Sequence, residues 1–287
     1  MLKGFSDMTT ITPTAAYAIP LHVTLTSPLH HGAGSSGNTA LLRTQEVVQP
    51  DGTLAHVPFV SAASVRHGLR DALAWHLATT IGLESISKAA VDLLWSGGAV
   101  TKTGAETDLA MARRVEEFLP MLSLLGYAAQ SDIVEGTLRA SDLILVCQEN
   151  DWRLPEPLQG RKRAAAYRGE EFGTRHDIAT SPVARLVEQT GLVVDKTTQM
   201  IFATQVLLAG AQLYGELSLT PSATPQHRLV LDAAIGLWDG MLAAKTATGY
   251  GRTSIPLEDT TDQVGEWTQH LLDHKTDILQ LVAEITA

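Results

Sequence analysis

The sequence predicts an α+β fold, in which strands and helices alternate without the strand–helix–strand regularity of a parallel sheet. Three observations carry this. Apolar residues alternate over 19–27 (Leu21, Val23, Leu25), the period of a half-buried strand. Between 57 and 82 the period becomes helical, with Val65, Leu69, Leu73, Leu77 and Ile81 on one face. Strand-like runs then return at 131–147 and 202–219, ahead of a further helical stretch at 226–246.

Taken in order, residues 1–17 are small, polar and aperiodic, and read as a loose tail. The first strand runs into a glycine-rich stretch, HHGAGSSGN at 30–38. A strand over 39–48 follows, then the turn signal Gln49-Pro50-Asp51-Gly52. The clearest helix covers 64–82, with Ser64 as N-cap and Gly82 as its stop. A second helix is predicted over 107–125, carrying Leu109, Val115, Leu119 and Leu122. The 150–200 region is basic and poorly periodic, as expected of excursions from a core. Residues 202–219 split into two strands around Ala209-Gly210, and a final acidic helix spans 262–285.

Composition narrows the function. At 287 residues, 45% hydrophobic and 18% charged, the chain can bury a real core and is not a disordered segment. No apolar run reaches the ~18 residues of a membrane span, so no membrane partner is expected. Residues 1–17 lack the pattern of a signal peptide, which makes the cytoplasm the expected location. The single cysteine, Cys147, excludes an intrachain disulfide and a cysteine-based zinc site. A net charge of −10 argues at first against a nucleic-acid partner. The charge is unevenly spread, however: residues 256–287 carry seven acids against Lys275 alone. The stretch 160–176 holds Arg161, Lys162, Arg163, Arg168 and Arg175 against Glu170 and Glu171.

Several motifs have a bland reading that wins. Gly32-Ala33-Gly34-Ser35-Ser36-Gly37 spells GxGxxG after a strand. A dinucleotide site needs a helix to open there, whereas 38–48 reads as strand. The same missing helix argues against Ser35 or Ser36 as a nucleophile. His270 and His274 lie one turn apart, with no glutamate between them and no third ligand. Adjacent His30 and His31 fit either acid/base chemistry or a polar loop. Arg66 and Arg70, with His67 near them, share a helix face that by itself reads as solvated.

Read together, separated segments resemble the RAMP superfamily, specifically the guide-RNA-binding backbone subunit of CRISPR effector complexes. LTSPLHHGAGSSGN at 25–38 is similar to that family's L-T-x-L-H-I-G-x-G opening. VPFVSAASVRHGLRDAL at 57–73 resembles I-P-G-S-S-L-K-G-x-L-R, with Ser61, Ser64, Arg66, Gly68 and Arg70 in the matching positions. The family's glycine ahead of the serines is absent. LLAGAQLYGELSL at 207–219 resembles the strand pair containing P-A-G-x-x-F, and TGYGRTSI at 248–255 matches the G-x-G-R loop. The order agrees across about 230 residues.

The resemblance implies an RRM-like (ferredoxin-like) palm with inserted finger segments and a β-hairpin thumb, the thumb falling at 160–200. It implies crRNA, a complementary target nucleic acid, further copies in a helical filament and other effector subunits as partners. The RNA-binding residues it points to are His30, His31, Gly32, Gly34 and Ser35 in the opening, then Ser61, Ser64, Arg66, His67 and Arg70 on the helix. Arg161, Lys162, Arg163, Arg168 and Arg175 join them from the basic stretch, and Gly249, Tyr250, Gly251 and Arg252 from the last loop. Glycines let backbone amides approach phosphates, and an aromatic content of 5% favours tracking the RNA backbone over stacking on bases. Members that cut RNA carry an aspartate after the glycine stretch. Here Thr39 to Thr44 holds no carboxylate, so no nuclease activity, catalytic residue, metal or cofactor is expected. The compact opening, the histidine pair and the length lie closer to the type IV backbone subunit than to cutting type III ones. The rival reading is a RAMP-type endoribonuclease processing precursor crRNA with His30 or His31.

Overall fold

The computed structural model describes residues 17–100, 108–129, 132–175 and 200–286. The first strand, β1 (Ala18–Leu25), buries Leu21, Val23 and Leu25, as the alternation predicts. Tyr17, placed in the tail by sequence, belongs to the folded body. Its hydroxyl donates to the Asp232 carboxylate, and the Arg228 guanidinium lies 4.1 Å over its ring. Residues 1–16 lie outside the described residues.

The glycine stretch is not a loop but a strand, β2 (Gly32–Ser36), which turns at Gly37-Asn38 into β3 (Thr39–Leu42). Gly37 has a φ of 57°, a conformation that costs glycine nothing in a two-residue turn. The strand predicted over 39–48 breaks at Arg43 into β3 and β4 (Thr44–Val48), which pair in different sheets. β5 (Leu54–Val60) returns against β4 across the predicted turn.

The helix α1 (Ala62–Ile81) starts ahead of the predicted cap. Ser61 is the N-cap residue, yet its side chain makes no cap bond. Asp142 instead takes the Ala62 N–H at 2.8 Å, a cap supplied from a distant segment. Val65, Leu69, Leu73, Leu77 and Ile81 are each at most 1% exposed. Burial of each such side chain stabilises the fold by about 1.5–3 kcal/mol.

A short helix α2 (Lys88–Val91) runs into a π-helical turn at Asp92–Ser96. The helix predicted over 107–125 is two, α3 (Leu109–Phe118) and α4 (Pro120–Leu125). Pro120 expels the residue before it from helical backbone, and Leu119 sits at φ −129°, ψ 55°. Four short strands follow: β6 (Tyr127–Ala129), β7 (Asp132–Val134), β8 (Leu138–Ala140) and β9 (Leu143–Leu145). Beyond a series of 3₁₀ turns come β10 (Arg168–Arg175), β11 (Met200–Leu207) and β12 (Gln212–Leu219). The remaining elements are α5 (Pro225–Leu237), β13 (Thr253–Ser254), α6 (Thr261–Asp273) and α7 (Lys275–Ile285). The helix expected over 226–246 thus stops at Leu237, and the acidic helix is two, meeting at His274.

Among the described residues the main sheet runs β13-β1-β12-β9-β5-β4, with β8 also paired to β12. The pairs along it are antiparallel. Read as β1, α1, β8–β9, β12, α5, β13, with β1 and β12 in the centre, this is the βαββαβ arrangement of an RRM-like palm. The two insertions meet in a second sheet, β10-β11-β3-β2. Its seam is a parallel pairing of Ala203 with Thr39 and Thr204 with Ala40. The antiparallel β10–β11 pair flanks the middle of the region expected to form the thumb, residues 176–199, which lie outside the described residues.

Candidate nucleic-acid interface

β1 ends, α1 begins and β12 begins at one edge of the main sheet, and this brings the distant sequence segments together. Gly251 N–H donates to the Pro28 carbonyl at 2.8 Å, and Arg252 N–H donates to Ser27 Oγ at 2.9 Å. Ala244 N–H reaches the His30 carbonyl at 3.1 Å. Ala243 N–H reaches Ser64 Oγ at 3.1 Å, and Ser61 N–H reaches His31 Nε2 at 3.3 Å. Residues 27–34, 61–64 and 243–252 therefore form one continuous surface. Gly249 turns the last loop with a φ of 92°, and Gly251 with one of 76°. A Cβ on Gly251 would stand 2.0 Å from the Leu242 carbonyl oxygen. Gly251→Ala is expected to destabilise the fold by about 1–3 kcal/mol, read as a lower urea midpoint. An unchanged midpoint would mean the loop is not held in this way.

The α1 residues divide. Ser61 and Ser64 face this surface, and His67 is exposed beside it. Arg66 and Arg70, expected to hold phosphates, point instead into the protein. Arg66 donates to the Leu138 carbonyl at 2.6 Å and the Leu125 carbonyl at 2.5 Å. Arg70, 8% exposed, donates to the Leu125 and Gly126 carbonyls at 3.1 and 2.7 Å. The terminal carbonyls of a helix lack donors within it, and these guanidiniums supply them to α4. The arginines are committed to the fold, which corrects the phosphate-binding expectation for both.

The histidine pair is committed as well. His30 is 5% exposed, with Nδ1 2.7 Å from the Gln205 carbonyl, an acceptor that fixes the proton on Nδ1. Gly32 leaves room for this ring, since a Cβ there would lie 3.3 Å from His30 Nε2. The lone pair of His31 Nε2 accepts the Ser61 N–H. Burial, followed by the positive charge of Arg43, holds the His31 pKa below its ordinary 6.5. Burial likewise leads the lowering at His76, His227 and His270. An unfolded histidine binds a proton that these folded ones resist. Stability is therefore full above about pH 6.5 and is lost as pH falls below it. The melting temperature is expected to drop between pH 7 and pH 5, at up to about 1.4 kcal/mol per pH unit for each histidine. A flat profile would contradict the buried neutral rings.

Sequence reasoning missed Lys245. With a left-handed φ of 63°, it donates from Nζ to Thr204 Oγ1 at 2.7 Å. Its ammonium lies 6.0 Å from the rings of both Phe202 and Tyr250. The Tyr250 hydroxyl donates to the Glu171 carboxylate on β10, and that bond, with burial, pushes its pKa up to about 12. Lys245 is thereby seated between the last loop and β11, a placement set by tertiary contacts alone. Arg43, exposed at the β3–β4 break, adjoins His31, whose carbonyl takes the Arg43 N–H at 2.7 Å. Arg252 and Arg168 are exposed, as are Gly34 and Ser35 on β2. Phe172 and Phe202, 72% and 41% exposed, stand on opposite faces of the β10–β11 pair, because Phe172 lies opposite Ala203 and Phe202 opposite Gly173. Arg161 and Lys162 are exposed apart from these contacts, and Arg163 leans 3.3 Å from the buried Glu149 carboxylate. Arg175 ends β10, and its side chain is outside the described residues.

Two further arrangements carry no chemistry of their own. Ser123 Oγ lies 2.8 Å from His227 Nε2, but His227 Nδ1 accepts the Thr224 N–H. Nε2 of the neutral ring is therefore the donor and cannot take a proton from the serine. Among the described residues no three His, Cys, Asp or Glu side chains are grouped to hold a metal ion. Cys147 is buried, and burial leads a rise of its pKa to about 12, which keeps it a thiol. No described helix is long and apolar enough to cross a membrane.

Neither a protein-family signature nor a curated protein matches the chain. Among solved structures, a chain of one described as a Type IV-B CRISPR complex is similar, with a TM-score of 0.62. The match covers 85% of this chain and 92% of that one at 20% identity. The likeness is one of fold.

Proposed function

We propose that this chain is a non-catalytic subunit of a CRISPR effector complex of the RAMP type, nearest to type IV. It binds crRNA along the phosphate backbone and assembles head to tail into a filament that presents the guide for pairing. The observation that carries this reading is the convergence of residues 27–34, 61–64 and 243–252 on one surface. Arg43, Lys245 and Arg252 supply phosphate contacts there, beside glycine-bearing backbone. The exposed Phe202, beside Lys245, adds an apolar face for an unpaired base, so stacking joins backbone tracking despite the low aromatic content. The fold likeness to a chain of a CRISPR complex supports the same reading.

The endoribonuclease alternative fares worse, because His30 is buried and the His31 lone pair is taken. Wild-type protein is expected to bind labelled guide RNA and leave it intact, with or without Mg²⁺. His31→Ala, once a melting curve shows it folded, should change affinity at most. Cleavage by the wild type that vanishes in this variant would establish the endoribonuclease.

A further inference from the structure

A groove of about 710 Å³ opens between the outer face of α1 and the segment that follows α5. Its lining includes Asp71, Trp75, His76, Trp238 and Asp239, contains no lysine or arginine, and meets the surface described above at Ser64, His67 and Ala243. Asp71 forms no ion pair among the described residues. Trp75 is 58% exposed and held edge-on by Trp95, with ring centroids 5.3 Å apart. The two carboxylates and the anchored, open indole make the Asp71–Trp75 part of the groove, away from Ser64, unfavourable to phosphate and suited to a cationic side chain. A guanidinium there would lie over the indole and donate to a carboxylate.

The same chain offers such side chains elsewhere. Arg161 and Lys162 are exposed and form no ion pair among the described residues. The backbone carrying them is fixed on both sides. Gly160 N–H is held 3.2 Å from both Asp151 carboxylate oxygens, and the Lys162 carbonyl takes the Gln148 N–H at 3.1 Å. Ala164, 4% exposed, anchors the following residue through its N–H to Glu149 at 2.8 Å. A ribbon already ordered loses little freedom on docking.

We infer that the groove seats the Arg161–Lys162 ribbon of a second copy of this chain. Groove and ribbon are different parts of one molecule, so the contact is heterologous and leaves a free groove at one end and a free ribbon at the other. Such contacts propagate. The inference rests on the proposed self-assembly and names the surfaces that perform it.

The test uses two charge-reversed full-length proteins, Asp71→Lys/Asp239→Lys and Arg161→Glu/Lys162→Glu, followed by sedimentation velocity with a single-stranded RNA probe. Each variant alone should need at least a tenfold higher concentration than wild type to assemble. An equimolar mixture should recover wild-type assembly, because each junction then pairs opposite charges in one orientation or the other. Recovery also shows that both variants are folded. Assembly of either variant alone at wild-type concentration, or a mixture of folded variants that stays dispersed, would overturn the inference. Loss of RNA affinity by the ribbon variant, with assembly of the groove variant unchanged, would instead make the ribbon an RNA contact. Wild type that binds RNA without assembling would refute this interface and leave RNA binding standing. Wild type that binds no RNA would refute the proposed function whatever the copies do.

Discussion

Arg70→Ala is expected to destabilise the protein by about 3–5 kcal/mol, read from urea unfolding at constant m-value. Its guanidinium is a buried cation whose described partners are the Leu125 and Gly126 carbonyls. Burial, then the neighbouring charge of Arg66, lowers its pKa to about 10, so it stays charged at neutral pH. Alanine would leave the carbonyls without these donors and open a cavity beside α1. Arg70→Met refills most of the volume and isolates the loss of hydrogen bonds, so it should cost less than alanine yet clearly more than a surface change. RNA affinity of either variant, measured where it is folded, should match wild type. A loss below about 1 kcal/mol, together with weaker RNA binding, would return Arg70 to the phosphate-contact role the sequence suggests.

The second large effect concerns the exposed cations. Arg43→Ala, Lys245→Ala and Arg252→Ala combined should weaken binding to all single-stranded RNA sequences alike, by more than tenfold at low salt. The slope of log K against log salt should shrink by about 0.7 for each contact removed. Lys245→Ala alone should also lose the seating between Phe202 and Tyr250, so its effect should exceed that of Arg43→Ala. Unchanged slopes in a folded triple variant would place the RNA elsewhere on the molecule.

What the sequence reveals and what it hides have physical causes. The β1 alternation and the Val65-to-Ile81 stripe are local patterns, and burial follows them closely. The proline that opens α4 is a local signal too, enough to divide the helix predicted over 107–125. Arg66 and Arg70 lie about 100° around the helix from Val65 and Leu69, on the border of the apolar stripe. Spacing places both on one face without saying whether that face meets solvent, and here the end of α4 packs against it. The Asp142 cap on α1 and the left-handed Lys245 likewise depend on chain segments far away in sequence. The proposed RNA surface is legible as three short segments in order, while the role of Lys245 within it is not.

If the surface joining these segments carries guide RNA, the full chain expressed with a guide RNA should retain it through purification. Absorbance at 260 and 280 nm, a denaturing gel and negative-stain images report the amount, the length and the assembly of what is retained. RNA of one defined length, held intact in helical assemblies of repeated copies, is the expected result. A single copy free of nucleic acid, with guide RNA supplied in excess, would contradict it.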